Sequence, residues 1–81
     1  MKITVNGRVI ETTNEPNWTG TSVGYQMLSL THDEAKIALG ALGYPKRVKA
    51  DYAIRIDGTK ATLVKRVGEY SSEIDTHVVI G

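Results

Sequence analysis

Two dipeptides constrain this chain before anything else: Asn6-Gly7 and Asp57-Gly58. Each lies between runs rich in β-branched residues, and each suits a two-residue hairpin turn whose backbone needs positive φ. Around Asn6-Gly7 the predicted pairs are Val5 with Arg8, Thr4 with Val9, Ile3 with Ile10 and Lys2 with Glu11. That register gathers Ile3, Val5 and Ile10 on one face and sets Lys2 and Glu11 opposite each other as a cross-strand ion pair. Around Asp57-Gly58, strands over 48–56 and 59–67 pair Ile56 with Thr59, Ile54 with Ala61, Tyr52 with Leu63, Ala50 with Lys65 and Val48 with Val67. The opposite face then sets Arg55 against Lys60 and Lys49 against Arg66.

Between the hairpins stands one helix. Thr31-His32-Asp33-Glu34 has the spacing of a capping box, in which the hydroxyl and the carboxylate satisfy free N–H groups reciprocally. Ala35, Ala38, Leu39 and Leu42 follow at helical spacing, Gly43 suits a left-handed cap, and Pro45 prevents resumption. The helix is predicted over 32–42, with a small-residue face of Ala35, Ala38, Gly40 and Ala41 fit to lie close to a sheet. Residues 13–20 read as a loop and 21–30 as extended, with Val23, Tyr25 and Met27 alternating and Gly24 marking a bulge or a close backbone approach. A turn over 68–72 leads to a last strand over 73–80.

The order ββ-β-α-ββ-β implies an α+β fold, a mainly antiparallel sheet covered on one face by a single helix. The element order is similar to that of β-grasp domains. The likeness is one of order alone, with no residue motif behind it, and implies nothing about function. At 81 residues the chain is expected to form one domain, 1–81. It has no Cys, which excludes disulfides and thiolate metal sites. Without such staples a homodimer is expected to add burial. No apolar run reaches membrane-spanning length and the first residues lack a signal-peptide stretch, so a cytoplasmic protein without a membrane partner is expected. In that setting the glycosylation-type triplet Asn17-Trp18-Thr19 is a chance match.

No catalytic constellation emerges. His32 falls in the capping box and His77 on the polar side of the last strand, neither beside a nucleophile. Together with Asp33 and Glu34 they lack the i,i+4 spacing of metal ligands. Gly20–Gly24 carries glycines but no Lys-Ser/Thr tail for phosphate. Glu69, Glu73 and Asp75 read as a solvated strand face. No catalytic residue, metal ligand or cofactor is assigned.

Charge carries more information. The formal net charge is +1, but residues 46–67 hold seven bases against Asp51 and Asp57, while 68–81 hold only Glu69, Glu73 and Asp75. Lys46, Arg47, Lys49, Arg55, Lys60 and Arg66 form a candidate basic stripe whose facing like charges would repel. Either Glu73 and Asp75 neutralise it from the last strand, beside Lys60 or Arg66, or an external acidic partner does. With Tyr52 on the core face no aromatic interrupts the stripe, so an acidic protein surface is favoured over nucleic acid. Trp18 and Tyr25 form a second candidate surface. Against it stands the plain structural role of Trp18 folded back as a lid on the core. The functional expectation is a non-enzymatic binding module that occupies a surface of another protein, as an inhibitor, adaptor or phage-type accessory protein. The alternatives are a nucleic-acid binder using the second hairpin and a structural subunit assembling through its edge strands.

Overall fold

A computed structural model describes residues 1–18, 24–68 and 70–81. The elements are β1 (Lys2–Val5), β2 (Arg8–Glu11), β3 (Asn17–Trp18), β4 (Gln26–Ser29), α1 (His32–Ala41), β5 (Asp51–Asp57), β6 (Lys60–Val67) and β7 (Tyr70–Ile80). All seven strands join one sheet in the order β2-β1-β7-β6-β5-β4-β3. Every pairing between neighbours is antiparallel. The α+β class holds, with one short strand, β3, more than the sequence suggested. The expected loop over 13–20 contains it. The likeness in element order to β-grasp domains gains no support from this sheet.

The sheet cannot be flat. Its two edge strands, β2 and β3, are joined only by residues 12–16. A flat seven-strand sheet would be about 29 Å wide at ~4.8 Å per gap. The connection from Glu11 to Asn17 reaches about 20 Å at full extension. The sheet therefore curls, and two register shifts between β6 and β7 give β7 the extra residues that bend it. The concave side holds the main core: Ile3, Val5, Ile10, Leu28, Ile54, Leu63 and Val78, with Ala38 and Leu39 of α1. A smaller cluster of Met27, Ala53 and Val64, with Tyr25 against it, lies apart from that core.

The helix is pinned at both ends to the β1–β2 half of the sheet. At its start the capping box is present as predicted: Glu34 N–H donates to Thr31 Oγ1 at 3.3 Å and Thr31 N–H donates to Glu34 Oε1 at 2.9 Å. The same carboxylate has a second task invisible in the sequence. Its Oε2 accepts from Thr13 N–H at 2.8 Å and from the Thr13 hydroxyl at 3.1 Å, which fastens the 12–16 connection to α1. Asn14 Nδ2 donates to Ser29 O at 2.8 Å and carries the connection on to β4. At the other end Asn6 Nδ2 donates to Ala41 O, also at 2.8 Å. Leu42 caps the helix and Gly43 takes the left-handed conformation at φ +82°. The small-residue face divides in two. Ala35 and Ala38 are buried, whereas the last turn meets Lys46: a Cβ on Gly40 would stand 2.6 Å from Lys46 Cε.

The first hairpin has the predicted register throughout, with positive φ at Asn6 and Gly7. Glu11 does not close an ion pair with Lys2, however. Its nearest cation is the terminal ammonium of Met1, 3.9 Å away. The second hairpin keeps its predicted faces but not its predicted partners. Asp57 pairs with Lys60, Ile56 with Ala61, Ile54 with Leu63, Tyr52 with Lys65 and Asp51 with Arg66. The turn is Gly58-Thr59 rather than Asp57-Gly58, with Gly58 alone at positive φ, the pattern of a Gly-first II′ turn. Each partner moves by two residues, which conserves side-chain facing while changing every cross-strand neighbour. The last strand begins earlier than expected, at Tyr70, which pairs with Val67, so 70–72 belong to β7 rather than to a turn over 68–72. Of the predicted extended stretch 21–30, Gln26–Ser29 is strand, and 21–23 lie outside the described residues. Gly24 needs no close approach, since a Cβ there would meet nothing within 4 Å.

Glu34 is only 6% exposed. Burial alone would raise its carboxyl, but the bonds from Thr31 and Thr13 outweigh that and hold it below its ordinary value of 4.5. A depressed carboxyl stabilises the fold above its ordinary value and loses that contribution as pH falls through the lower folded one. Glu34→Gln should therefore flatten the loss of stability on acidification below pH 4.5. In denaturant unfolding at neutral pH, Thr31→Ala should cost ~1 kcal/mol. Glu34→Ala, which also leaves the Thr13 N–H without its acceptor, should cost about 2–3 kcal/mol. Equal losses for the two variants would show that the Thr13 contacts contribute nothing.

Candidate functional site

The predicted basic stripe divides into bases with local partners and bases without them. Arg55 is committed inside the fold. Its guanidinium hydrogen-bonds the Glu73 carboxylate on β7 and lies 5.8 Å from the Tyr25 ring centroid, a cation–π arrangement. Lys60 stands opposite Asp57 and Arg66 opposite Asp51, so the two repulsions inferred from the sequence are replaced by opposite-charge neighbours. Arg55 faces Thr62 instead of Lys60. Lys49 is not in β5 at all. With Lys46 and Arg47 it lies exposed in the irregular segment 44–50 that joins α1 to β5. Lys46 also crosses the last turn of a helix with no basic residue of its own there, where an ammonium complements the dipole. The six bases thus do not form one face. Asp75, expected beside Lys60 or Arg66, instead turns back on its own strand.

That turn-back occurs at the bend in β7. Asp75 Oδ1 accepts from His77 N–H at 2.8 Å and lies 2.6 Å from His77 Nδ1. The carboxylate accepts this N–H where the β6–β7 register shifts between Val78 and Asp75. The bond from His77 N–H is the largest cause holding the Asp75 carboxyl below its ordinary value. His77 is 72% exposed and no nucleophile is bonded to it. Among the described residues no group of three or more His, Asp or Glu could hold a metal ion. The candidate phosphate segment Gly20–Gly24 lies outside the described residues except for Gly24.

The aromatic candidates separate. Tyr25 is half-buried beneath Arg55. Trp18 does not lid the core: it remains 67% exposed on the edge strand β3. Its surroundings give that exposure significance. Trp18 pairs with Gln26, and Gln26 pairs with Ile56. Gln26 and Ile56, with Met1, Pro16, Val78 and Ile80, line an apolar hollow of about 380 Å³ at the end of the curled sheet where the Gly58-Thr59 turn lies. The sequence signal for this hollow was weak. Its walls come from three strands (β4, β5 and β7), the 12–16 connection, the Gly58-Thr59 turn and Met1, and only the curl brings them together. A second cleft of about 260 Å³ lies between the start of α1 and residues 48–52, lined by Thr31, His32, Lys49 and Tyr52 among others. Two further exposed residues, Val67 (59%) and Tyr70 (81%), stand opposite each other at the tip of the β6–β7 hairpin.

Among the described residues no helix is long and apolar enough to cross a membrane. Compared with known proteins, the chain matches no family model, no curated protein and no solved structure.

The pairings decide how charge reversal acts. Lys60→Glu places like charges opposite Asp57, and Arg66→Glu does the same opposite Asp51. Each should cost a few tenths of a kcal/mol. The double variant should melt below wild type at low salt, and the gap should close in high salt. A rise in Tm would instead support the register read from the Asp57-Gly58 dipeptide.

Proposed function

We propose that this chain is a non-enzymatic protein-binding module that engages its partner at the open end of the curled sheet. The observation that carries this reading is Trp18, 67% exposed on an edge strand in the same cross-strand row as two residues lining an apolar hollow. A tryptophan gains from burial in a partner, and clustered aromatic anchors dominate interface energetics. A hollow beside it accepts one apolar side chain of the partner, while the surrounding polar residues set orientation. Inhibitor and adaptor roles both act through such a surface. The basic stripe supports the reading less, because Arg55, Lys60 and Arg66 each have an acidic neighbour within the chain.

Trp18→Ala should leave unfolding within about 0.5 kcal/mol of wild type, since the side chain is largely solvated. Capture of a partner from host lysate should be lost in the same variant and kept in Lys60→Glu. Equal capture by wild type and Trp18→Ala would remove Trp18 from the binding surface.

One observation favours a second reading. Tyr44 and Tyr70 are exposed, and Lys49, Lys65 and Arg66 lie at the same end of β5 and β6 as Tyr70. Bases beside exposed rings form a stacking platform for single-stranded nucleic acid. Retention on single-stranded DNA that falls with salt and is lost in Tyr70→Ala would support it. No retention at low salt would dismiss it.

A further inference from the structure

We propose that the cleft between the first hairpin and the last turn of α1 binds a phosphoryl group between Arg8 and Lys46. The cleft, of about 180 Å³, is lined by Arg8, Ile37, Gly40, Ala41 and Lys46. It shares no lining residue with the open-end hollow and stands independently of that reading.

The fold brings the two bases there from different elements. Arg8 pairs with Val5, whose side chain is buried, so alternation puts Arg8 on the core-facing side of β2, toward α1. The bond from Asn6 Nδ2 to Ala41 O holds that hairpin turn against the helix end. Lys46 arrives from the other side. Tyr44 N–H donates to Leu39 O at 2.9 Å and its hydroxyl to Ile74 O at 3.4 Å, and Pro45 restricts the backbone that follows. Gly40 completes the arrangement. Its missing side chain lets the Lys46 stem lie across the last turn, since a Cβ there would stand 2.6 Å from Lys46 Cε.

Neither base is used up within the chain. Among the described residues no carboxylate forms an ion pair with Arg8 or Lys46. The acids of α1, Asp33 and Glu34, stand in its first turn, at the opposite end. The helix end has its hydrogen bonds without the ammonium. Ala38 O and Leu39 O accept from Leu42 N–H, Gly40 O from Gly43 N–H and Ala41 O from Asn6. What remains there is the helix dipole, about half a negative charge against two positive ones. The cleft is left net cationic by more than a singly charged carboxylate removes. A phosphoryl group carries about −1.5 to −2 near neutral pH and presents oxygens to both the guanidinium fork and the ammonium. Pockets that enclose a drug-sized ligand run to ~300–1,000 Å³. This smaller cleft suits the phosphoryl group and leaves whatever it is attached to outside, along the part-exposed Ile37.

Titration with inorganic phosphate at constant ionic strength, followed by amide NMR shifts, tests this. Wild type should show saturable shifts centred on Arg8, Gly40, Ala41 and Lys46. Arg8→Gln and Lys46→Gln should each weaken binding on the order of tenfold, the loss of one charge-assisted hydrogen bond. Gly40→Ala should weaken it too while raising Tm, because alanine favours the helix but its Cβ displaces Lys46. That variant separates loss of the site from loss of the fold. Acetate should bind more weakly than phosphate. Phenyl phosphate distinguishes the source: binding at least as tight as that of inorganic phosphate supports an ester, and weaker binding supports the free ion. No saturable shift, shifts centred elsewhere, full-strength binding in any of the three variants, or acetate binding equal to phosphate overturns the proposal.

Discussion

The Glu34 carboxylate holds together what the chain would otherwise keep apart. One oxygen closes the helix cap with Thr31, and the other takes both donors of Thr13. Thr13 belongs to the connection that joins one edge strand of the sheet to the other. That connection is too short to cross a flat sheet, so the Glu34 side chain ties the start of α1 to the segment that makes the sheet curl. A buried carboxylate is tolerable only when its oxygens are fully satisfied, and here the bonds outweigh the cost of burial.

Curling a sheet this narrow leaves an end unfilled. On the concave side Ile3, Leu28, Ile54 and Leu63 are sealed from solvent, and α1 contributes Ala35, Ala38 and Leu39. Toward the Gly58-Thr59 turn no helix follows, and Ile56 and Ile80 are only partly covered. The same chain exposes large apolar side chains at its far end, at Val67 and Tyr70. In a domain of 81 residues, where burial is scarce, the curl leaves apolar surface uncovered at both ends.

Electrostatics follow from register more than from composition. The cluster of bases over 46–67 looked like a repulsive face only while the turn was centred on Asp57-Gly58. Moving the turn by one residue sets Asp57 against Lys60 and Asp51 against Arg66. Arg55, released from Lys60, reaches Glu73 across the intervening strand and covers Tyr25. Much of the charge is met inside the chain, but not by the expected partners: Glu73 meets Arg55 rather than Lys60 or Arg66, and Asp75 caps the bend at His77.

What the sequence determined by itself was local. Asn6-Gly7 fixed the first hairpin because both turn residues need positive φ, and Thr31 with Glu34 fixed the start of the helix because their reach to the backbone spans one turn. Alternation fixed which residues of β5 and β6 face the core, since a two-residue slip conserves facing. The slip itself was illegible, because Asp57-Gly58 and Gly58-Thr59 are both acceptable turns and only the neighbouring strands choose between them. Trp18 was legible as an aromatic in a polar stretch, but its exposure was not, because burial depends on what lies across β3. The hollow, the Arg55–Glu73 pair and the second task of Glu34 were decided by tertiary structure alone. Arg55 and Glu73 lie 18 positions apart, Thr13 and Glu34 lie 21 apart, and the hollow draws on both ends of the chain, so each forms only when the sheet curls.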